Sequence, residues 1–215
     1  MATFAEAEHL LSLEPGYASP QRDPRRVRAL EQRLAIRCPR STREWYERDD
    51  STRLLARYSN SDHPIELAKM FRDGDRLIFM NENQGVCRWA FRLDDSDDPE
   101  VLVQTEREPW QSCNCKFAGF VAAQFFDWAE EWAEDSRTLQ GDPPTAQTLR
   151  WLAENFRPGP VARQRSWATH RFFDDRVRIY IYDNEGWFEW WVRTRSFADM
   201  DRLLDMLQPF YDAEL

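Results

Sequence analysis

Between residues 117 and 135 the chain reads FAGFVAAQFFDWAEEWAED, and no other stretch limits the fold as strongly. Phe117, Phe120, Val121, Phe125, Trp128 and Trp132 recur at helical spacing and form one stripe. Gln124, Asp127, Glu130, Glu131 and Glu134 fall on other faces. Fully burying one such aromatic contributes on the order of 2–3 kcal/mol, so the stripe requires an apolar partner surface. Residues 86–93, VCRWAFRL, supply one. At strand spacing Cys87, Trp89, Phe91 and Leu93 point one way, and Val86, Arg88, Ala90 and Arg92 the other. The apolar row is expected to face the core and the arginine row to face water. A sheet packed against helices is the expected architecture.

Upstream, the spacing predicts a helix over residues 2–13 with Phe4, Ala7, Leu10 and Leu11 on one face, ended by Pro15, Gly16 and Pro20. Asp23 followed by Pro24 marks the start of a second helix carrying Val27, Leu30 and Leu34, closed by Pro39. Ser41-Thr42-Arg43-Glu44 has the form of a capping box before Trp45 and Tyr46. The period then changes to two. Residues 77–80 read as a strand, Asn83-Gln84-Gly85 as a turn with Gly85 at positive φ, and residues 101–104 as a third strand. The middle of the chain is expected to be an antiparallel meander.

Downstream, Thr145 caps a helix with Leu149, Leu152 and Phe156. Residues 163–173, 176–182 and 187–194 read as strands, the last two joined by an Asp183-Asn184-Glu185-Gly186 hairpin turn. Ser196 caps a final helix aligning Phe197, Met200, Leu203, Leu204 and Leu207. The division expected is an N-terminal helix and linker (1–22), a main domain (23–136) and a C-terminal extension (137–215). Periodicity leaves open whether the extension continues the first sheet, and whether Trp187, Trp190 and Trp191 join a core or an interface.

The composition suits a folded protein: 215 residues, 14% aromatic, ten of them tryptophan. The N-terminus has no basic leader, no apolar run is long enough to span a bilayer, and four cysteines are too irregular for a disulfide framework. A cytoplasmic setting is expected. Net charge is -9, unevenly spread: residues 61–136 hold 7 basic and 17 acidic side chains. Such a field repels nucleic acid and attracts basic surfaces. It also keeps a tryptophan-rich protein soluble.

The acidity peaks at Asp94, Asp95, Asp97 and Asp98. Asp94, Ser96 and Asp98 copy the alternate spacing of a calcium loop. However, Pro99 stands where the loop glycine is needed, and Thr105 where a chelating glutamate is needed. Paired carboxylates for acid–base catalysis require a concave, partly dry setting, whereas this run reads as a wet turn. Cys113-Asn114-Cys115 lacks zinc-knuckle spacing, His9, His63 and His170 are scattered, and neither a nucleophile elbow nor a phosphate-binding glycine loop occurs. No catalytic residue, metal or cofactor is expected.

One resemblance emerges from these residues. Glu82-Asn83-Gln84-Gly85-Val86-Cys87-x-Trp89-Ala90, followed by Asp94-Asp95-x-Asp97-Asp98-Pro99-x-Val101, resembles the central motif of the SUKH superfamily. Leu30-Glu31-x-x-Leu34 and Cys38-Pro39-x-Ser41-x-x-Glu44-Trp45-Tyr46 are similar to the family's first helix and following turn, with Cys38 and Thr42 where leucine is usual. Residues 117–132 match its closing helix. The likeness covers residues 23–135 and implies an α+β domain, a twisted, mostly antiparallel sheet with helices against it. Family members include immunity proteins of bacterial toxin systems and a fungal cell-wall regulator. The resemblance implies a protein that binds a cognate toxin or another basic protein and has no shared catalytic residue. Glu82, Asp94, Asp95, Asp97, Asp98 and Trp110 form the candidate partner-binding set. An adaptor without a toxin partner, and a small hydrolase with carboxylates in a cleft, are the competing readings.

Overall fold

The computed structural model describes residues 4–14, 17–105, 108–128, 132–141, 143–160, 162, 168–184 and 187–210. It is an α+β protein with two separate antiparallel sheets and divides into two compact units. The first comprises residues 1–12 and 16–128, the second residues 13–15 and 129–215. Of the two arrangements left open for the C-terminal strands, the chain adopts the one with a sheet of their own. Residues 135–141, outside every strand expected from the sequence, form a strand of that second sheet.

In the first unit, α1 (Ala5–Ser12), α2 (Pro24–Leu34), α3 (Arg40–Tyr46) and α4 (Ser51–Arg57) precede six strands. These are β1 (His63–Pro64), β2 (Phe71–Asp73), β3 (Arg76–Asn81), β4 (Cys87–Arg92), β5 (Glu100–Thr105) and β6 (Gln111–Lys116). Strands β3 to β6 form the expected meander, and β1 and β2 both pair with β3. Asp23 caps α2 by accepting the Arg25 N–H at 3.0 Å, with Pro24 in the first turn. That helix ends on Ala35 in the left-handed region (φ 50°), before Pro39 is reached. The capping box at Ser41 does not form. Helix α3 already begins at Arg40; Thr42 Oγ1 donates to the Pro39 carbonyl at 2.8 Å, and Glu44 accepts from Arg40.

Helix α5 (Phe117–Trp128) lies on the sheet. Phe117 meets Phe79 and Phe91 at ring-centroid distances of 5.5 and 5.3 Å, and Phe120 meets Phe79 and Trp89 at 5.4 and 6.4 Å. Its other side receives the helices: Phe4 and Tyr46 meet Phe117, while Trp45 and Tyr58 meet Phe125. Buried from both directions, α5 has no polar face. Gln124 and Asp127, expected on outer faces, are buried as well. Trp132 lies beyond the described end of the helix, in the second unit.

On the opposite face of the sheet, the expected water-facing row of β4 is only half true. Ala90 is fully buried between its register partners Ile78 and Leu102. Arg88 and Arg92 are half-buried. Arg88 bonds Gln104 and Asp73, and Arg92 bonds Glu100 and Asp75.

In the second unit the strands run in the order β7 (Asp135–Gly141), β11 (Trp187–Thr194), β10 (Val177–Asn184), β9 (Ala168–Phe173), β8 (Arg157–Pro158). Residues 163–167 and the turn residues Glu185 and Gly186 lie outside the described residues. Helices α6 (Ala146–Asn155) and α7 (Phe197–Leu207) bury Leu152, Met200, Leu203 and Leu207 with Ile179, Ile181, Trp190 and Val192. Trp190 is therefore core, whereas Trp191, its neighbour along β11, is half-buried on the other face. That other face is cationic: Arg178 lies 4.2 Å from the Trp132 ring centroid and 3.4 Å from Glu14 Oε1. Burial pulls the Arg178 guanidinium down to about 10 despite the charge of Glu14. Thr145 and Ser196 cap α6 and α7 as expected, but Phe197 is 57% exposed rather than part of the stripe.

The packing predicts unequal costs for two phenylalanines. Phe117→Ala should lower stability in urea by about 3–5 kcal/mol, because its ring joins the sheet to the helices. Phe197→Ala should change it by no more than about 0.5 kcal/mol. Equal losses would contradict this core.

Candidate functional site

The six candidate residues do not share one surface. Glu82 and Asp94 stand at opposite ends of β4, about 20 Å apart for six residues of strand. Glu82 is committed to the chain itself. Its Oε2 accepts the N–H groups of Gln84 (2.7 Å) and Val86 (3.2 Å), closing the β3–β4 turn in which Gly85 takes φ 77°. Trp110 is half-buried with the Arg76 and Arg88 guanidinium groups each 5.4 Å from its ring centroid. Arg88 lies on the sheet face opposite Trp89, so this stack stands on the side of the sheet away from α5.

Asp98 also looks inward. Its Oδ1 accepts the Ala118 N–H at 3.1 Å, and the Pro99 carbonyl accepts the Phe117 N–H at 2.9 Å. Together they cap the start of α5 from the β4–β5 loop, a long-range version of an N-cap. Burial raises the Asp98 carboxyl above its ordinary range, against the hydrogen bonds it accepts. Asp94 Oδ1 accepts from the backbone N–H of Ser96 at 3.1 Å and from its hydroxyl, so its first task is to hold the loop. Asp95 and Asp97 are exposed.

Asp94, Asp95 and Asp97 line one wall of a cleft of about 690 Å3. The other wall was missed by sequence reasoning. Arg37, Arg40 and Arg43 come from the α2–α3 connection and α3, and Arg72 from β2. Ile36, Cys38, Pro39 and Leu93 add apolar lining. The three-residue spacing Arg37-Arg40-Arg43 was the available signal, hidden because the first sixty residues are nearly charge-balanced.

Both walls are fixed. The Ser41 N–H donates to the Asp97 carbonyl at 2.8 Å and ties α3 to the aspartate loop. Glu31 Oε1 accepts from the Cys38 N–H at 2.9 Å and from Arg43 Nη2 at 2.8 Å, pinning the arginine side to α2. Arg40 pairs with Glu44 at 2.8 Å; that bond, with the more distant charge of Asp97, holds its guanidinium above its ordinary range. Among the described residues, Asp94, Asp95 and Asp97 make no ion pair with the facing arginines.

Burial, helped by Glu31, pushes the Cys38 thiol up to about 12, which leaves little of the nucleophilic thiolate. Among the described residues no group of three His, Cys, Asp or Glu side chains is placed to hold a metal ion, and no helix is long and apolar enough to cross a membrane. Comparison with protein-family models, curated proteins and solved structures finds no match to the chain.

Two measurements follow from the loop chemistry. Asp98→Ala should cost about 1 kcal/mol, the usual loss on removing a cap, and Asp98→Asn clearly less. Equal losses in urea unfolding would remove the capping role. Asp62, buried beside the β3–β4 turn, accepts the Asn83 N–H at 3.2 Å, and burial, with the charge of Glu82, raises it to about 6. A carboxyl that binds its proton more tightly when folded loses stability as pH rises from about 4 to about 6, and stays penalised above that. Asp62→Asn should flatten this interval and gain most over the parent chain at pH 7. A gain equal at pH 4 and pH 7 would contradict it.

Proposed function

We propose that the chain is a cytoplasmic immunity protein that neutralises a cognate toxin by direct contact, with the β4–β5 loop as part of the contact surface. The observation that carries this reading is the presentation of Asp94, Asp95 and Asp97 on a loop held at both ends. The Leu93 N–H donates to the Asp75 carbonyl at 2.7 Å at one end, and the Ser41–Asp97 bond with the Asp98–Ala118 cap fixes the other. A rigid, exposed set of carboxylates loses little entropy on binding and accelerates the approach of a basic partner. The excess of 17 acidic over 7 basic side chains in residues 61–136 supports the same role over longer range. The likeness of residues 23–135 to the SUKH superfamily, many of whose bacterial members are encoded beside a toxin, supports the choice of partner.

The direct test is co-expression. The product of the adjacent reading frame should arrest growth alone and be neutralised when this chain is present, through a complex isolated with both proteins. With that product in hand, replacing Asp94, Asp95 and Asp97 together by Asn should slow association about ten-fold at low salt and flatten its salt dependence. Dissociation should change less. A neighbour that is harmless, or toxic but never bound, would favour the adaptor reading instead; unchanged association rates would remove the aspartates from the contact surface.

A further inference from the structure

We infer that the cleft between residues 35–43 and residues 93–97 receives a short extended segment of another protein carrying a carboxylate and a cationic group a few residues apart. This rests on the reading of the aspartate wall as contact surface and adds what must meet the wall opposite. A purely basic loop would satisfy Asp94, Asp95 and Asp97, but would press cations against Arg37, Arg40, Arg43 and Arg72. A purely acidic one would reverse the conflict. Only a bipolar segment gives each wall an opposite charge, and like charges brought together across an interface act strongly against wrong partners.

The chemistry of each wall is specific. Every cation lining the cleft is an arginine, whose planar fork takes a carboxylate by two parallel hydrogen bonds. Arg40 and Arg43 are already oriented by Glu44 and Glu31, which leaves donors on each guanidinium unused by those single contacts. Across from them, Asp95 and Asp97 are exposed acceptors. The volume of about 690 Å3 lies within the roughly 300–1,000 Å3 of ordinary ligand sites, enough for a few side chains. Because the Ser41–Asp97 and Glu31–Cys38 bonds fix the walls in advance, a segment entering the cleft need not order them.

The test uses the full chain, labelled with 15N, titrated with three acetylated and amidated tetrapeptides: Glu-Gly-Gly-Arg, Gln-Gly-Gly-Arg and Glu-Gly-Gly-Gln. The bipolar peptide should shift backbone amides of residues 35–43 and 93–97 and bind about five-fold more tightly than either control, as expected for adding one solvent-accessible ion pair. Combining Arg37→Gln with Arg40→Gln should reduce it to the level of the arginine-only peptide. Combining Asp95→Asn with Asp97→Asn should reduce it to the level of the glutamate-only peptide. All four positions are exposed, so the fold should survive, and an unchanged amide spectrum elsewhere checks this.

Equal affinity of a single-charge peptide, shifts outside the cleft, or no shifts at all would overturn the inference. So would cleft resonances that respond to protein concentration and not to peptide, since a second copy would then occupy the site. Growth protection is scored separately. Bipolar discrimination without protection would sink the immunity reading and keep the cleft chemistry, and protection without discrimination would do the reverse.

Discussion

Burial of α5 on every side is the constraint from which the geometry of the first unit follows. A helix with aromatic residues facing both the sheet and the other helices cannot slide or rotate without breaking several ring contacts at once. Its start is therefore fixed, and so is whatever caps it. The cap comes from Asp98 and Pro99, so the β4–β5 loop is tied to the core at one point and through Ser41–Asp97 to α3 at another. Loops are usually the most mobile parts of a fold. This one inherits its position from the core, which is why the charges on it can act as a shaped surface.

The parts legible in sequence are those decided by local chemistry. Asp23-Pro24, Thr145 and Ser196 all mark helix starts, because a cap needs only its own next few residues. Trp89 and Phe91 face α5 as the alternation requires. What was not legible depends on residues distant in the chain. Residues 111–116 have none of the β-branched or large apolar side chains that announce a strand, yet β6 forms because β5 offers it an edge. Helical spacing continues through Trp132, but β11 recruits residues 135–141 into a second sheet. Ser41 looks like a cap by pattern; Asp97 takes its N–H, and the helix begins at Arg40, two residues before a Ser41 cap would start it.

The candidate site divides along the same line. A count of charge along the chain identified an acidic segment correctly, but charge along a chain is not charge on a surface. Glu82 and Asp98 spend their carboxylates on backbone N–H groups, and Asp94 spends part of its own on Ser96. Trp110 is occupied by Arg76 and Arg88. Asp94, Asp95 and Asp97 are the members exposed to water, and of these Asp95 and Asp97 do not hold the loop with their carboxylates. Sequence reasoning located the loop and overcounted its free charges, since a carboxylate that builds a turn and one that meets a partner look alike in a string of letters.

The arginine wall changes what the remaining carboxylates mean. Close to the loop, the field is that of two opposed walls; at longer range, it is that of an acidic segment. With a screening length of about 8 Å at physiological salt, these two fields act at different stages of an encounter. The distant one draws in any basic surface and carries little specificity. The near one would, on the inferred bipolar occupancy, reject a surface of single sign and accept one whose charges alternate to match. Attraction and selection thus reside in different residues. On the proposed reading, the acidic excess of residues 61–136 would set the rate of approach, and the seven charged side chains among those lining the cleft would decide which segment stays.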